Sequence, residues 1–325
     1  MRAWRVDRPG EPLEVLILAD VPIPEPGPGQ IRVRVTAAGI GLPDVLMCRR
    51  TYPLTPSGAF TPGQEVTGVV SAVGPDVDLA LGTTVMSVTS FIEGHGSFAE
   101  ECLAPAQSSF SVPSGLADVD AAGFWIPHLT AWIGLVDRAH IEPGQWLAVL
   151  GAAGSSGIAA VQLGRALGAR VIAVVSDEAR AEFCRGLGAD DTINHRDGDL
   201  PGRLRQMTDG RGVDIVYDPV GGSLAEEAAT ALARHGRLLA VGFASGTWPR
   251  IETHNLVVTN TSLVGVFAGG YSRDELDSIH SELSSLVSSG RLQNAVTTQV
   301  PFADLPFALQ RLADRSVMGK MIMVL

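Results

Sequence analysis

The stretch AVLGAAGSSGIAAVQLGRALGARVIAVVSDEAR, residues 148–180, admits few folds. An apolar run tightens into a loop of glycine, alanine and serine, opens into a helical pattern, and gives way to a second apolar run, RVIAVV. Gly151, Gly154 and Gly157 set a G-x-x-G-x-x-G spacing rather than G-x-G-x-x-G. Alone, such a motif is equally a tight strand-to-helix crossover that needs glycine only for packing. Its context is the one phosphate chemistry requires, a buried strand before it and a helix after it. Small residues let the backbone approach a pyrophosphate, and the helix N-terminus offers unpaired N–H groups and a partial positive charge. Gly151, Ala153, Gly154, Ser155, Ser156, Gly157 and Ile158 are therefore candidate dinucleotide-binding residues.

The segments beyond keep the same rhythm. DTIN, VDIVYD and RLLAVGF are apolar runs separated by helical patterns. Near-continuous apolar strands between helices predict a parallel sheet covered on both faces. Open sheets of this kind bind ligands at the carboxyl ends of their strands. That places Val220, in YDPVGG, and Gly242, Phe243 and Ala244, in VGFASG, among the candidates.

The N-terminal part reads differently. QIRVRVTAAGI alternates Ile31, Val33 and Val35 with Arg32, Arg34 and Thr36, the period of a half-buried strand. EVTGVVSAVG, GTTVMSVTS and GSFAEECLA continue in short runs punctuated by turns, which predicts a compact, mostly antiparallel barrel. Near the C-terminus, SRDELDSIHSELSSLVSSG predicts a helix capped by Ser272 and stopped by Gly290, followed by a further helix and a closing strand. At 325 residues the chain exceeds the about 250–300 at which single cores stop growing, so two domains are expected. The fold class read here is α/β: a β-barrel domain over 1–122, completed by 267–325, and a doubly wound parallel-sheet domain over 123–266.

The end of the second strand bears on which dinucleotide is held. An acid there grips ribose hydroxyls, as NAD sites do, whereas cationic or small polar groups suit a 2′-phosphate. RVIAVV ends at Val175, followed by Ser176, Asp177, Glu178, Ala179 and Arg180. Ser176 can donate a hydrogen bond and Arg180 a charge-assisted pair, which favours NADPH, while Asp177 argues for NAD. His195, after the third strand, is a further donor to a 2′-phosphate or a surface-loop histidine.

A net charge of −11, with no basic run, argues against a nucleic-acid partner. The longest apolar candidate, LVVTNTSLVGVFAGG, is too polar to span a membrane. Cys48, Cys102 and Cys184 are isolated, which fits a reducing compartment, and no secretory signal is evident, so a cytoplasmic protein is expected.

Three blocks, VTAAGIGLPDVLMCRRTYP, FTPGQEVTGVVSAVG and LTAWIGL with GAAGSSG, make the chain resemble the medium-chain dehydrogenase/reductase superfamily over essentially its whole length. The resemblance implies a GroES-like catalytic domain and a Rossmann domain. In the zinc-dependent alcohol dehydrogenases of that superfamily a Cys follows AAGI and a His precedes the glutamate of the second block; here those positions are Gly41 and Gln64. Ile126 stands where a third ligand would come, and the cysteine cluster of the structural zinc site is missing, so no metal is expected.

The chain thus resembles the zinc-independent quinone oxidoreductase branch, which implies hydride transfer from NADPH to a quinone or α,β-unsaturated carbonyl. By motif position Thr130 packs near the nicotinamide and Tyr52 lies on the substrate side. Gly41 departs from the branch, which usually carries Asn there. Tyr52 can hydrogen-bond or protonate the developing oxyanion, or be a loop tyrosine beside Pro53. Asp44 ties the GLPD turn to neighbouring N–H groups or takes part in proton transfer, and Gln64 faces the pocket or fills the vacated ligand position. Lys320, in GKMIMVL, reaches the cofactor or is solvated. Other readings are an enoyl-thioester reductase of the same superfamily and a cofactor-binding protein with little turnover. TSLVGVF is expected at a sheet edge, through which the resemblance implies a homodimer.

Overall fold

The computed structural model describes residues 1–293 and 295–325. Its contacts divide the chain into two compact units. One comprises Met1–Ile126, Ser272–Ser288 and Asn294–Leu325; the other comprises Pro127–Tyr271 and Ser289–Gln293. The sequence reading placed these divisions at 122/123 and 266/267, a few residues earlier. Pro127 lies in the opening turn of the helix Trp125–Trp132. A missing N–H does no harm there, because first-turn donors have no partner within the helix.

The second unit is built on a six-stranded sheet in the spatial order Asp191–Asn194, Arg170–Val175, Trp146–Leu150, Val213–Asp218, Leu232–Ala240 and Ser262–Gly265. Every pairing in it is parallel. Strand order reverses beside Trp146–Leu150, the first of the set, and the glycine loop emerges at that switch point. A crevice forms there because successive crossovers leave in opposite directions. The central strands read WLAVL, RVIAVV and VDIVYD, and their side chains are almost wholly buried, as a sheet covered on both faces demands. Ala148, Leu150, Ile172, Val174, Val216 and Leu238 form the centre of this core. Ser262–Gly265 is an edge strand, as the sequence reading placed it, and Leu263 on it is exposed.

The first unit centres on the long strand Gln30–Ile40. It pairs antiparallel with Glu65–Val73. Its other edge is shared end to end: Gln30–Arg34 pair with Glu101–Pro105, and Ala37–Ile40 with the closing strand Lys320–Val324. Thr84–Val88 and Val296–Pro301 extend the sheet. Alternation in QIRVRV sends Ile31, Val33 and Val35 into a core with Phe60, Phe98, Met321 and Met323. Residues distant in sequence meet here. The helix Arg273–Ser288 begins at Ser272, whose N–H and hydroxyl donate to the Glu275 carboxylate, and Gly290 follows its end with φ +72°. Among the described residues, no helix is long and apolar enough to cross a membrane.

Candidate active site

In the second unit the strand Trp146–Leu150 runs into Gly151, and the helix Ser155–Ala166 begins four residues later with Gly154 as its N-cap. No side chain caps that helix, so its first N–H groups face outward unclaimed by a capping side chain. Gly157 shows why the third glycine is fixed. A Cβ there would lie 2.4 Å from the Gly151 carbonyl oxygen and 2.6 Å from Ala152 Cα, both rigid backbone. The loop therefore folds back on the helix only if residue 157 has no side chain. Gly157 and Ile158 are buried, Ser155 and Ser156 half-buried, Gly154 exposed. The Ser156 hydroxyl lies 2.9 Å from the Tyr217 hydroxyl, which anchors the loop's helix to the neighbouring strand. This tether had no sequence signal, since Tyr217 reads simply as a strand residue.

The expected strand-end residues converge on that loop. Asp218, at the end of its strand, is fully buried; one carboxylate oxygen accepts from the N–H groups of Val220 (2.9 Å) and Gly221 (2.7 Å). Burial pushes this carboxyl up to about 6, against the pull of those two donors. The Val220 side chain reaches within 2.9 Å of where a Cβ on Gly151 would stand. Ala244 N–H donates to the Pro219 carbonyl and Ser245 N–H to that of Val220, so Gly242, Phe243 and Ala244 lie against the same turn. The Phe243 ring is half-buried and packs 4.8 Å from that of exposed Trp248.

At the second strand end, Ser176, Asp177 and Arg180 form one cluster. Asp177 caps the helix Glu178–Gly186 by accepting from Arg180 N–H at 3.0 Å. Its carboxylate also accepts from the Ser176 hydroxyl (3.0 Å) and pairs with the Arg180 guanidinium. These donors, the Arg180 amide first, hold the Asp177 carboxyl below its ordinary range. The two groups expected to reach a 2′-phosphate are thus held by the acid that argued against it. His195 opens a short turn after the third strand, half-buried, and burial lowers its imidazole below the usual value. Thr130 is half-buried on the helix Trp125–Trp132.

In the first unit the structure brings Asp44, Tyr52, Gln64 and Lys320 into one polar cluster around Glu65. Asp44 lies in the helix Leu42–Cys48, is 2% exposed, and receives Gly41 N–H at 2.9 Å and Gly63 N–H at 3.1 Å, one on each oxygen. Burial pushes its carboxyl up to about 7, and the field of Glu65 adds to this; the two amides and Lys320 oppose it. Tyr52 is half-buried, with its ring tilted against that of Phe91 at 6.4 Å; burial raises its phenol, and the Gln64 side chain beside it opposes the rise. Gln64 is buried, with its amide nitrogen 3.7 Å from the Met47 sulfur.

Lys320 is not solvated. Its ammonium is buried in an ion pair with Glu65, whose other oxygen accepts Ile126 N–H at 2.9 Å. Sequence reasoning considered each residue separately and missed the pair. The available signal was a lysine inside an apolar closing strand, which needs a carboxylate to remain charged. Among the described residues no three His, Cys, Asp or Glu side chains are grouped to hold a metal ion.

The chain is similar to known dehydrogenases and quinone oxidoreductases. Residues 27–114 match the alcohol dehydrogenase GroES-like domain family, and residues 157–285 match the zinc-binding dehydrogenase family. A quinone oxidoreductase-like protein 2 homolog from Nematostella vectensis is 32% identical over 88% of this chain and 79% of its own length. A 2-haloacrylate reductase from a Burkholderia species is 31% identical over 81% of this chain and 80% of its own. Among solved structures, Escherichia coli quinone oxidoreductase complexed with NADPH superposes with a TM-score of 0.90 at 27% identity, covering all of both chains.

Proposed function

The chain belongs to the quinone oxidoreductase family of the medium-chain dehydrogenase/reductase superfamily, and from that premise we propose that it transfers hydride from NADPH to a quinone or an α,β-unsaturated carbonyl without a metal ion. The observation that carries the metal-free chemistry is the Glu65–Lys320 pair. Gly41 and Gln64 stand where the zinc-dependent relatives place their ligands, and neither offers a thiolate or imidazole. Of the two carboxylates nearby, Glu65 is already neutralised by an ammonium group, and both oxygens of Asp44 accept backbone donors. An alcohol needs a Lewis acid to give up hydride readily in this fold, whereas a conjugated acceptor is electron-poor enough without one.

The loop fits a dinucleotide. Gly157 leaves room for the backbone to fold close, and the uncapped helix end faces a pyrophosphate. When bound, NADPH supplies the hydride; the protein positions, excludes water and stabilises the charge that develops. Gly151, Ala153, Gly154, Ser155 and Ser156 hold the pyrophosphate, with Gly157 and Ile158 shaping the loop from beneath. Val220, Gly242, Phe243 and Ala244 wall the crevice, and Thr130 packs against the nicotinamide. Ser176, Arg180 and His195 take the 2′-phosphate, the first two by turning from Asp177. On the substrate side, Tyr52 donates its hydroxyl to the developing oxyanion, oriented by Gln64. Asp44 holds the turns at Gly41 and Gly63 rather than moving a proton itself, since both its oxygens accept backbone donors.

The edge strand Ser262–Gly265, with exposed Leu263 and neighbours Val257, Val258 and Phe267, is the surface for a homodimer, because an apolar edge needs cover. Three buried, unpaired cysteines fit a cytoplasmic setting. The deciding assay follows NADPH absorbance with 1,4-benzoquinone, an enone and an enoyl thioester as separate acceptors. Turnover on the first two supports the reading; turnover on the thioester alone favours the carrier-linked reductase. Binding without turnover on any of the three rejects catalysis.

A further inference from the structure

Lys320 is the only charged residue in the closing strand Lys320–Val324, and it is buried. A buried ion pair is weak evidence for stability, since well-packed apolar residues of the same volume often serve as well. Its purpose is found in what else the pair touches. Glu65 accepts with its second oxygen from Ile126 N–H, in the first turn of the helix that carries Thr130. The backbone is shaped to admit the pair. A Cβ on Gly39 would stand 2.6 Å from the paired Glu65 oxygen and 2.4 Å from the Ala122 carbonyl, and one on Gly123 would stand 2.8 Å from Lys320 Cγ. Both charges also act on Asp44, in opposite senses: Lys320 favours its ionised form and Glu65 disfavours it. Asp44 in turn holds Gly63 N–H, one residue before the Gln64 that engages Tyr52.

We infer that Lys320 is a positioning residue for the reaction: acting through Glu65, it fixes the first turn of the Thr130 helix and holds the Asp44, Gly63, Gln64 and Tyr52 linkage in its working geometry. Its ammonium is engaged by the Glu65 carboxylate, through which it acts. The inference rests on the roles given above to Tyr52 and Thr130. The charged and titratable groups acting on or feeling Asp44 are Lys320, Glu65, Tyr52 and Cys48.

Opposite charges give opposite signatures. Removing Lys320 alone makes Asp44 easier to protonate, so its hold on Gly41 and Gly63 is lost at a higher pH. Neutralising Glu65 alone does the reverse, and removing both charges largely cancels. The experiment measures kcat against pH with NADPH and 1,4-benzoquinone for Lys320→Met, Glu65→Gln and the double variant, alongside amide exchange at Ile126 and Gly63.

In Lys320→Met the acid limb of kcat moves up and kcat falls by roughly tenfold or more, with KM for NADPH little changed. In Glu65→Gln the limb moves down. In the double variant the limb returns and kcat recovers, because the Gln carbonyl can still accept Ile126 N–H. Limbs that stay put, or move the same way in both single variants, overturn the inference and leave the pair a structural one. Should the single variants not fold, the double variant decides. Loss or retention of kcat and of Ile126 protection together upholds the inference, and one without the other overturns it. If the wild type oxidises NADPH with none of the acceptors, the proposed function fails; exchange at Ile126 and Gly63 and the carbon-13 titration of Asp44 still test the positioning.

Discussion

The two units hold their functional groups by contrasting means. In the second unit the proposed dinucleotide loop Gly151–Ile158 is contiguous, made mostly of small residues, and offers backbone N–H groups at a helix end. In the first unit the proposed working parts are Asp44, Tyr52, Gln64, Glu65 and Lys320, with Glu65 and Lys320 separated by 255 positions and held by buried side-chain charge. A backbone site tolerates most changes in its surroundings but no added volume. A buried charge cluster tolerates volume-conserving changes but no unmatched charge.

The most severe break is therefore electrostatic. Lys320→Met leaves the Glu65 carboxylate buried without its counter-ion, and removing one partner of such a pair costs about 3–5 kcal/mol. Replacing both, as Glu65→Gln with Lys320→Met, is expected to restore most of that loss. Urea unfolding of the three variants measures it, and a Lys320→Met midpoint equal to wild type would show the pair to be energetically idle.

The steric counterpart lies in the other unit. Gly157→Ala drives a Cβ into the Gly151 carbonyl and Ala152, neither of which is the free end of a flexible side chain. Overpacking of this kind costs about 1–3 kcal/mol. The loop can relieve it only by opening, so NADPH binding should be lost with it. Isothermal titration separates the two effects, and a variant that melts lower yet binds NADPH normally would show that the loop does not hold the phosphates.

This contrast also explains what could be read from the residues alone. The loop, the parallel sheet and the switch point announce themselves locally, as apolar runs and glycine spacing, so Gly151–Ile158, Val220 and Gly242–Ala244 could be named in advance and converge in the structure. Tyr52, Gln64, Asp44 and Lys320 could be named only as separate residues. Nothing in GKMIMVL specifies that its lysine meets the glutamate of GQEVTG, because that contact is created by the closing strand pairing with Gln30–Ile40. The Asp177 cluster fell between these cases. All its residues lie within five positions, yet whether Arg180 faces the carboxylate or solvent depends on the helix cap.

The pH dependence of stability sharpens the comparison further. Asp44 titrates near 7 in the folded protein, against an ordinary 3.8, so between these values the folded state binds more protons than the unfolded one. Its contribution is complete below the ordinary value and is lost as pH rises through 7. Asp44→Asn removes that dependence. It also turns an amide donor toward Gly41 N–H or Gly63 N–H, costing about 1–3 kcal/mol through one unsatisfied buried amide. Chemical denaturation at acidic and neutral pH measures both; an unchanged slope in the variant would assign the dependence elsewhere, Asp218 being the next group raised.

The smallest expected effect concerns cofactor choice, where the backbone site meets a charged cluster of its own. Ser176 and Arg180 both engage Asp177, so a 2′-phosphate must compete with that carboxylate for them. Arg180→Ala removes a charge-assisted partner, weakening NADPH by roughly tenfold. It also frees Asp177 to accept from ribose hydroxyls, so NADH binding should hold or tighten. Asp177→Asn has the opposite sign: it releases Arg180 and Ser176 while keeping a side-chain oxygen to cap the helix, so NADPH tightens and NADH does not. Dissociation constants for both cofactors with both variants test this. If the two substitutions shift the NADPH-to-NADH ratio in the same direction, Asp177 and Arg180 do not compete for the cofactor, and the second strand end is only a helix cap.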